Sequence, residues 1–250
     1  MALQEQLKRE GDYLFKYRGY LPIIFLVFAL AVRGLYMHYG SNNSAVISSI
    51  SAFMQSIALY IGLFGVLVRL YTVGFTPKNT SGRNTSEGQI ADELNTTGLY
   101  SLTRNPLYVG NFFMWMGLVF YIGVIWFSLL FICMFWIYYE RIIFAEETFL
   151  REKFKESYLQ WANKTAVFIP KKFRYAHPQK SFRWKKIVTK EKSTILMFFL
   201  VFFILQQFSA FFEFNTTQIE LSQITYGFLA SIALYALIKS LQVLGKLSTE

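Results

Sequence analysis

Apolar runs long enough to cross a bilayer alternate with polar, charged segments along this chain. Leu21–Tyr39 is apolar except for Arg33, and Ile47–Val68 runs 22 residues without a charge. Asn105–Tyr139 is a 35-residue uncharged stretch, and Ser193–Phe212 and Leu221–Ile238 follow with 20 and 18. A helical span needs about 20 apolar residues, so the 35-residue stretch is too long for one crossing. A break near Tyr121-Ile122-Gly123 turns it into a tight helical hairpin. Its first arm is short, roughly 24 Å at 1.5 Å per residue, against a hydrocarbon core of about 30 Å. The pattern predicts an all-α, polytopic transmembrane protein of about six spans.

Composition agrees. Of 250 residues, 54% are hydrophobic, 19% aromatic and only 16% charged, where soluble domains carry about 25% charge. The net charge of +10 complicates that picture, because a basic chain also suits nucleic acid. Position decides between the two. With both termini on the cytoplasmic side, the inner segments 1–20, 69–105, 140–192 and 239–250 hold 24 of the 25 Lys and Arg. Arg33, inside the first span, is the exception, and it snorkels or pairs with a neighbouring helix. The outer connections, near 40–46, 121–123 and 213–220, hold none. This is the positive-inside distribution. No loop is long enough for a folded nucleic-acid-binding face, so no nucleic-acid partner is expected. The run Lys171–Lys192, with nine Lys and Arg, predicts contact with anionic lipids of the cytoplasmic leaflet. The N-terminus shows no removable signal peptide, which leaves the first span as its own targeting signal. His38 and His177 lie far apart and Cys133 is alone, so no metal site is expected.

The chain divides into four parts. Residues 1–70 carry an N-terminal pair of spans. Residues 71–170 carry a polar loop, the hairpin and a following helix. Residues 171–192 form a basic cytoplasmic linker, and 193–250 carry the C-terminal pair of spans. Candidate chemistry concentrates in the second part. Arg104-Asn105-Pro106 opens the hairpin, with Asn105 a suitable N-cap and Pro106 a suitable first helical residue. Arg104 thereby sits at a helix end that favours anions. Past the hairpin, Glu140–Trp161 reads as a helix leaving the membrane, with Leu150, Phe154, Tyr158 and Trp161 on one apolar stripe. Glu146 and Glu147 fall within two turns of the membrane exit, where acidic groups need partners or water. Plainer readings stand beside these: Arg104 as a membrane-edge anchor, and Glu147 with Arg151 as an i, i+4 surface pair.

Together these motifs resemble the isoprenylcysteine carboxyl methyltransferase family of integral membrane methyltransferases and its relatives, the phospholipid methyltransferases. The resemblance rests on Gly98 and Tyr100, Arg104-Asn105-Pro106-Leu107-Tyr108-Val109-Gly110, Glu146-Glu147-Thr148-Phe149-Leu150 with Phe154 and Tyr158, and Ile169-Pro170. It covers about residues 70–170. Two positions depart from the family pattern: Asn105 stands where many members have His, and Lys155 where Gly usually follows the Phe. The first removes any imidazole role; the second changes the helix end or extends the helix.

The resemblance implies S-adenosyl-L-methionine as cofactor, bound at the cytoplasmic membrane surface, with substrate arriving from the lipid side. It implies Tyr100, Arg104, Asn105, Pro106, Tyr108, Gly110, Glu146 and Glu147 as cofactor-binding residues, and Arg104 and Glu147 as catalytic. The acceptor is then a carboxylate, a phosphate or a head group of a lipid or lipidated substrate. An NADPH-dependent membrane reductase of the sterol-reductase type and a non-enzymatic membrane component remain as alternative readings.

Overall fold

The computed structural model describes residues 2–39, 45–77, 83–85, 88–170 and 173–247. Most of the predicted 40–46 connection, together with Lys171 and Lys172 of the basic run, lies outside them. Among the described residues the fold is helical: α1 (Leu3–Tyr17), α2 (Leu21–Tyr39), α3 (Ala45–Phe75), α4 (Pro106–Ile122), α5 (Ile125–Ala162), α6 (Trp184–Phe214) and α7 (Gln223–Val243). One short antiparallel hairpin, β1 (Arg83–Thr85) with β2 (Gly88–Ile90), interrupts the polar loop. Four helices, α3, α5, α6 and α7, are long and apolar enough to cross a membrane; α4 and the Ile23–Tyr39 part of α2 are apolar but shorter, at 17 residues each. At 1.5 Å per residue the 38 residues of α5 extend well beyond a hydrocarbon core of about 30 Å.

The hairpin forms where the apolar pattern breaks. α4 stops at Ile122, Gly123 adopts a left-handed conformation (φ 74°), and α5 begins at Ile125. α4 is apolar on every side, as a helix enclosed by others must be, and it occupies the centre. On one side Met116, Val119 and Ile122 pack with Ala29 and Val32 of α2 and Phe127, Phe131 and Phe135 of α5. On the other, Leu118 packs with Ala58 and Val66 of α3, Phe198, Phe202 and Leu205 of α6, and Ile224 of α7. Antiparallel α3 and α4 approach closely along small residues: a Cβ at Gly117 would lie 2.6 Å from the Ala58 carbonyl oxygen and 2.7 Å from the Gly62 nitrogen. Small residues that let backbones touch are how membrane helices associate without a hydrophobic drive.

Polar groups mark the two ends of the bundle. At one, Arg33 donates from Nε to Ser209 Oγ (3.1 Å) and from Nη1 to the Ile122 carbonyl (3.0 Å), tying α2 to α6 and to the end of α4. Pairing with neighbouring helices, rather than snorkelling, is therefore its observed state. The other end gathers the end of α3, the starts of α4 and α6 and the emerging half of α5.

Two features were not anticipated. α1 is a separate helix lying along α5, held by Arg141 to Glu10 (2.8 Å) and Lys8 to Glu152 (3.4 Å). α6 begins at Trp184, so the second half of the basic 171–192 segment is helix rather than linker. There Lys186 donates to the Thr76 and Pro77 carbonyls (2.7 and 3.1 Å) and Arg183 to that of Thr76 (2.6 Å), tying the start of α6 to the segment that leaves α3.

Lys155 bends α5. Its backbone sits at φ 47°, ψ −121°, a region that suits Gly and strains any residue with a Cβ. The chain keeps the backbone of a glycine where the residue is Lys, so this departure neither ends nor smoothly extends the helix. Strain of this type costs about 1–3 kcal/mol. Lys155→Gly is expected to raise the thermal unfolding temperature of the detergent-solubilised protein, and Lys155→Ala to leave it nearly unchanged. A lower temperature for the glycine variant would contradict the strained backbone.

Candidate functional site

Backbone pairing assembles the site. The Arg104 N–H donates to the Ala166 carbonyl (2.8 Å), and Thr103 bridges to Ala166 in parallel register. Thr103 Oγ1 and Asn105 Nδ2 both donate to the Val167 carbonyl, each at 3.0 Å. Asn105 does occupy the N-cap position of α4, but its side chain makes no capping bond; its Nδ2 donates to the Val167 carbonyl instead. The segment after α5 thus folds back onto the start of α4. Phe168 anchors it among Phe112, Phe135 and Trp136. A second clasp pairs Gly98 with Ala176, and the Trp161 indole donates to the Tyr100 carbonyl (3.1 Å).

These contacts bring Arg104 to Glu147, with Nε 3.1 Å from Oε1. The pair is mostly enclosed, its side chains 15% and 20% exposed. Glu147 therefore pairs across the fold, not with Arg151. Arg104 Nε, Glu147 Oε1 and the Tyr158 hydroxyl are all buried and lie against one another, yet none of them forms a well-aligned hydrogen bond. Buried polar groups are nearly always well satisfied, so a cluster held this loosely suits a polar ligand.

Glu146 belongs to a neighbouring group. It neighbours the Tyr108 hydroxyl, and the Tyr108 ring lies 4.6 Å from that of Tyr139. Asn111 Nδ2 donates to the Tyr139 oxygen (3.1 Å), and Arg69 Nη1 donates to Asn111 Oδ1 (2.7 Å). Arg69 also grips Glu191 in bidentate fashion, from Nε (3.0 Å) and Nη2 (2.9 Å). Tyr100 joins this group: loss of hydration pushes its phenol above the ordinary range, Glu146 adds to that and Arg69 opposes it.

Tyr100, Arg104, Tyr108, Glu146 and Glu147, all singled out in the sequence, converge at this end of the bundle. Pro106 is fully buried as the first residue of α4. Gly110 faces α3, where a Cβ would come within 2.6 Å of Arg69 Cγ. Ile169, which closes the motif set, is 77% exposed. Sequence reading missed Arg69, Asn111, Tyr139 and Glu191, and placed Tyr158 on an apolar stripe. The available signal was weak: an Arg and a Glu, each at the end of an apolar run, far apart in sequence. No group of three or more His, Cys, Asp or Glu among the described residues is placed to hold a metal ion.

The fold is that of a multi-pass helical membrane protein with its polar chemistry gathered at one end. Residues 57–157 match the family model described as phospholipid methyltransferase. The match runs from mid-α3 through the bend of α5 and bears out the resemblance read from the motifs; the class it indicates is a membrane methyltransferase. No curated protein and no solved structure matches the chain.

Proposed function

We propose that this protein transfers a methyl group from S-adenosyl-L-methionine to a membrane lipid or lipidated substrate at the cytoplasmic face. The observation that carries the reading is the buried cluster of Arg104, Glu147 and Tyr158, polar groups in mutual contact without a well-aligned hydrogen bond, where the start of α4 meets the exit of α5. The cofactor supplies an electrophilic methyl on a sulfonium, and its carboxylate, ammonium and ribose hydroxyls are the kinds of group that Arg104, Glu147 and Tyr158 can bind. Arg104 suits the carboxylate; Glu147 suits the ammonium or the hydroxyls.

Methyl transfer is a direct displacement, so alignment and exclusion of water supply most of the rate. The folded-back 165–168 segment, held by the aromatic packing of Phe168, covers part of this end of the bundle. An oxyanion acceptor, carboxylate or phosphate, attacks without a base. An amine head group must first lose a proton, and Glu146, beside Tyr108, is positioned to take it. The family match favours a phospholipid among these acceptors. The basic residues of 171–192 suit an anionic leaflet, which brings such lipids to the site.

The test is incorporation of radiolabelled methyl from S-adenosyl-L-methionine by the protein in nanodiscs. Amine-headed phospholipids, phosphate-headed lipids and a prenylcysteine are offered in turn. Label in one lipid class is expected, together with thermal stabilisation by S-adenosylhomocysteine but not by NADP⁺. Folded protein that labels none of them and ignores S-adenosylhomocysteine would end the proposal.

A further inference from the structure

The matched segment ends at residue 157, yet a buried charge from beyond it reaches back toward the site. Glu191, on α6, is 5% exposed and accepts two hydrogen bonds from Arg69 of α3. A buried ion pair is weak evidence for stability, because desolvation offsets attraction. An ionisable pair among membrane helices calls for another explanation.

Geometry supplies it. With Nε and Nη2 fixed on Glu191, Arg69 presents Nη1 to Asn111 Oδ1. That contact decides which way the amide faces, because the oxygen must meet Arg69. The amide nitrogen is then turned to the Tyr139 hydroxyl oxygen. Tyr139 in turn packs against Phe135 (4.2 Å) and Tyr108 (4.6 Å), and the Tyr108 hydroxyl neighbours Glu146. Gly110 belongs to the same device: only a residue without a Cβ leaves room for the Arg69 stem. Hydrogen bonds fix the line from α6 as far as Tyr139, and a ring contact carries it on to Tyr108, beside the glutamate.

We propose that Arg69 and Glu191 are positioning residues that set the orientation of Tyr108 and Glu146 through Asn111 and Tyr139, making α6 part of the methyl-transfer site. The proposal rests on the methyltransferase reading above. It assigns a catalytic purpose to a helix outside the family match.

The test uses the full chain in nanodiscs and compares Tyr139→Phe, Glu191→Gln and Glu191→Asp with the unaltered protein. Tyr139→Phe keeps the ring and removes one hydroxyl, so it should fold normally. It should lower kcat about tenfold, the scale of one lost positioning contact, with KM for the cofactor within twofold. Glu191→Gln should lower kcat as well, and Glu191→Asp should restore part of the loss. Arg33→Gln is the control: it breaks an equally buried set of contacts at the other end. It should lower the unfolding temperature and leave kcat per folded molecule unchanged. Active unaltered protein with Tyr139→Phe and Glu191→Gln unaffected in kcat would overturn this inference alone. Glu191→Gln losing only thermal stability, as Arg33→Gln does, would also overturn it. Unaltered protein that transfers no methyl group would overturn the functional reading and this inference with it.

Discussion

Glu147→Gln is expected to reduce methyl transfer by about a hundredfold or more, the scale on which a site loses a charge-stabilising partner. The substitution keeps the size of the side chain and removes its charge. Arg104, 3.1 Å away, then faces a neutral amide, with both side chains mostly buried. An unsatisfied buried group costs about 1–3 kcal/mol, so the unfolding temperature should fall modestly as well. Arg104→Gln should cause a similar loss of activity. Because the two act as one unit, the double variant should be little worse than either alone. Rates per folded molecule, with unfolding temperatures measured in parallel, check this. Near-normal turnover of Glu147→Gln would reduce the pair to a membrane-edge anchor.

The second large effect concerns folding. Gly117→Val should prevent accumulation of stable protein. Its Cβ would meet the backbone of Ala58 and Gly62 at 2.6–2.7 Å, and backbone cannot move aside as a flexible side chain can. Overpacking usually costs about 1–3 kcal/mol and sometimes more, and separating α3 from α4 also spreads both apolar clusters that meet on α4. Gly19→Ala is the comparison, because nothing lies within 4 Å of a Cβ there. It should unfold within a degree or two of the unaltered protein. Retained stability of Gly117→Val would mean that the two helices sit farther apart than described.

The sequence made the membrane class legible because a run of about 20 apolar residues has few other uses. The break at Gly123 was legible too, since no helix of 35 apolar residues fits one crossing. Glu146 and Glu147 stood out as acidic residues close to a span. Other features depend on what a residue meets in three dimensions. Asn105 reads as a cap until Val167 claims its amide. Tyr158 reads as one member of an apolar stripe until its hydroxyl is seen beside Glu147. Arg69 and Glu191 are 122 positions apart, and no local pattern joins them. α1, with six charged residues among its fifteen, gave no span signal, and it packs along α5.

Arg33 carries a consequence for biogenesis. Its carbonyl partner, Ile122, is synthesised 89 residues later, and Ser209 follows 176 residues later. At roughly 5–20 residues per second, translation reaches Ser209 about 9–35 s after Arg33. Until then the first span holds a cation whose set of partners is incomplete. A long basic side chain near a helix end can reach the interface in the meantime. The arrival of α6 replaces that refuge with Ser209, so the assembled bundle, and not the first span alone, holds Arg33 in place.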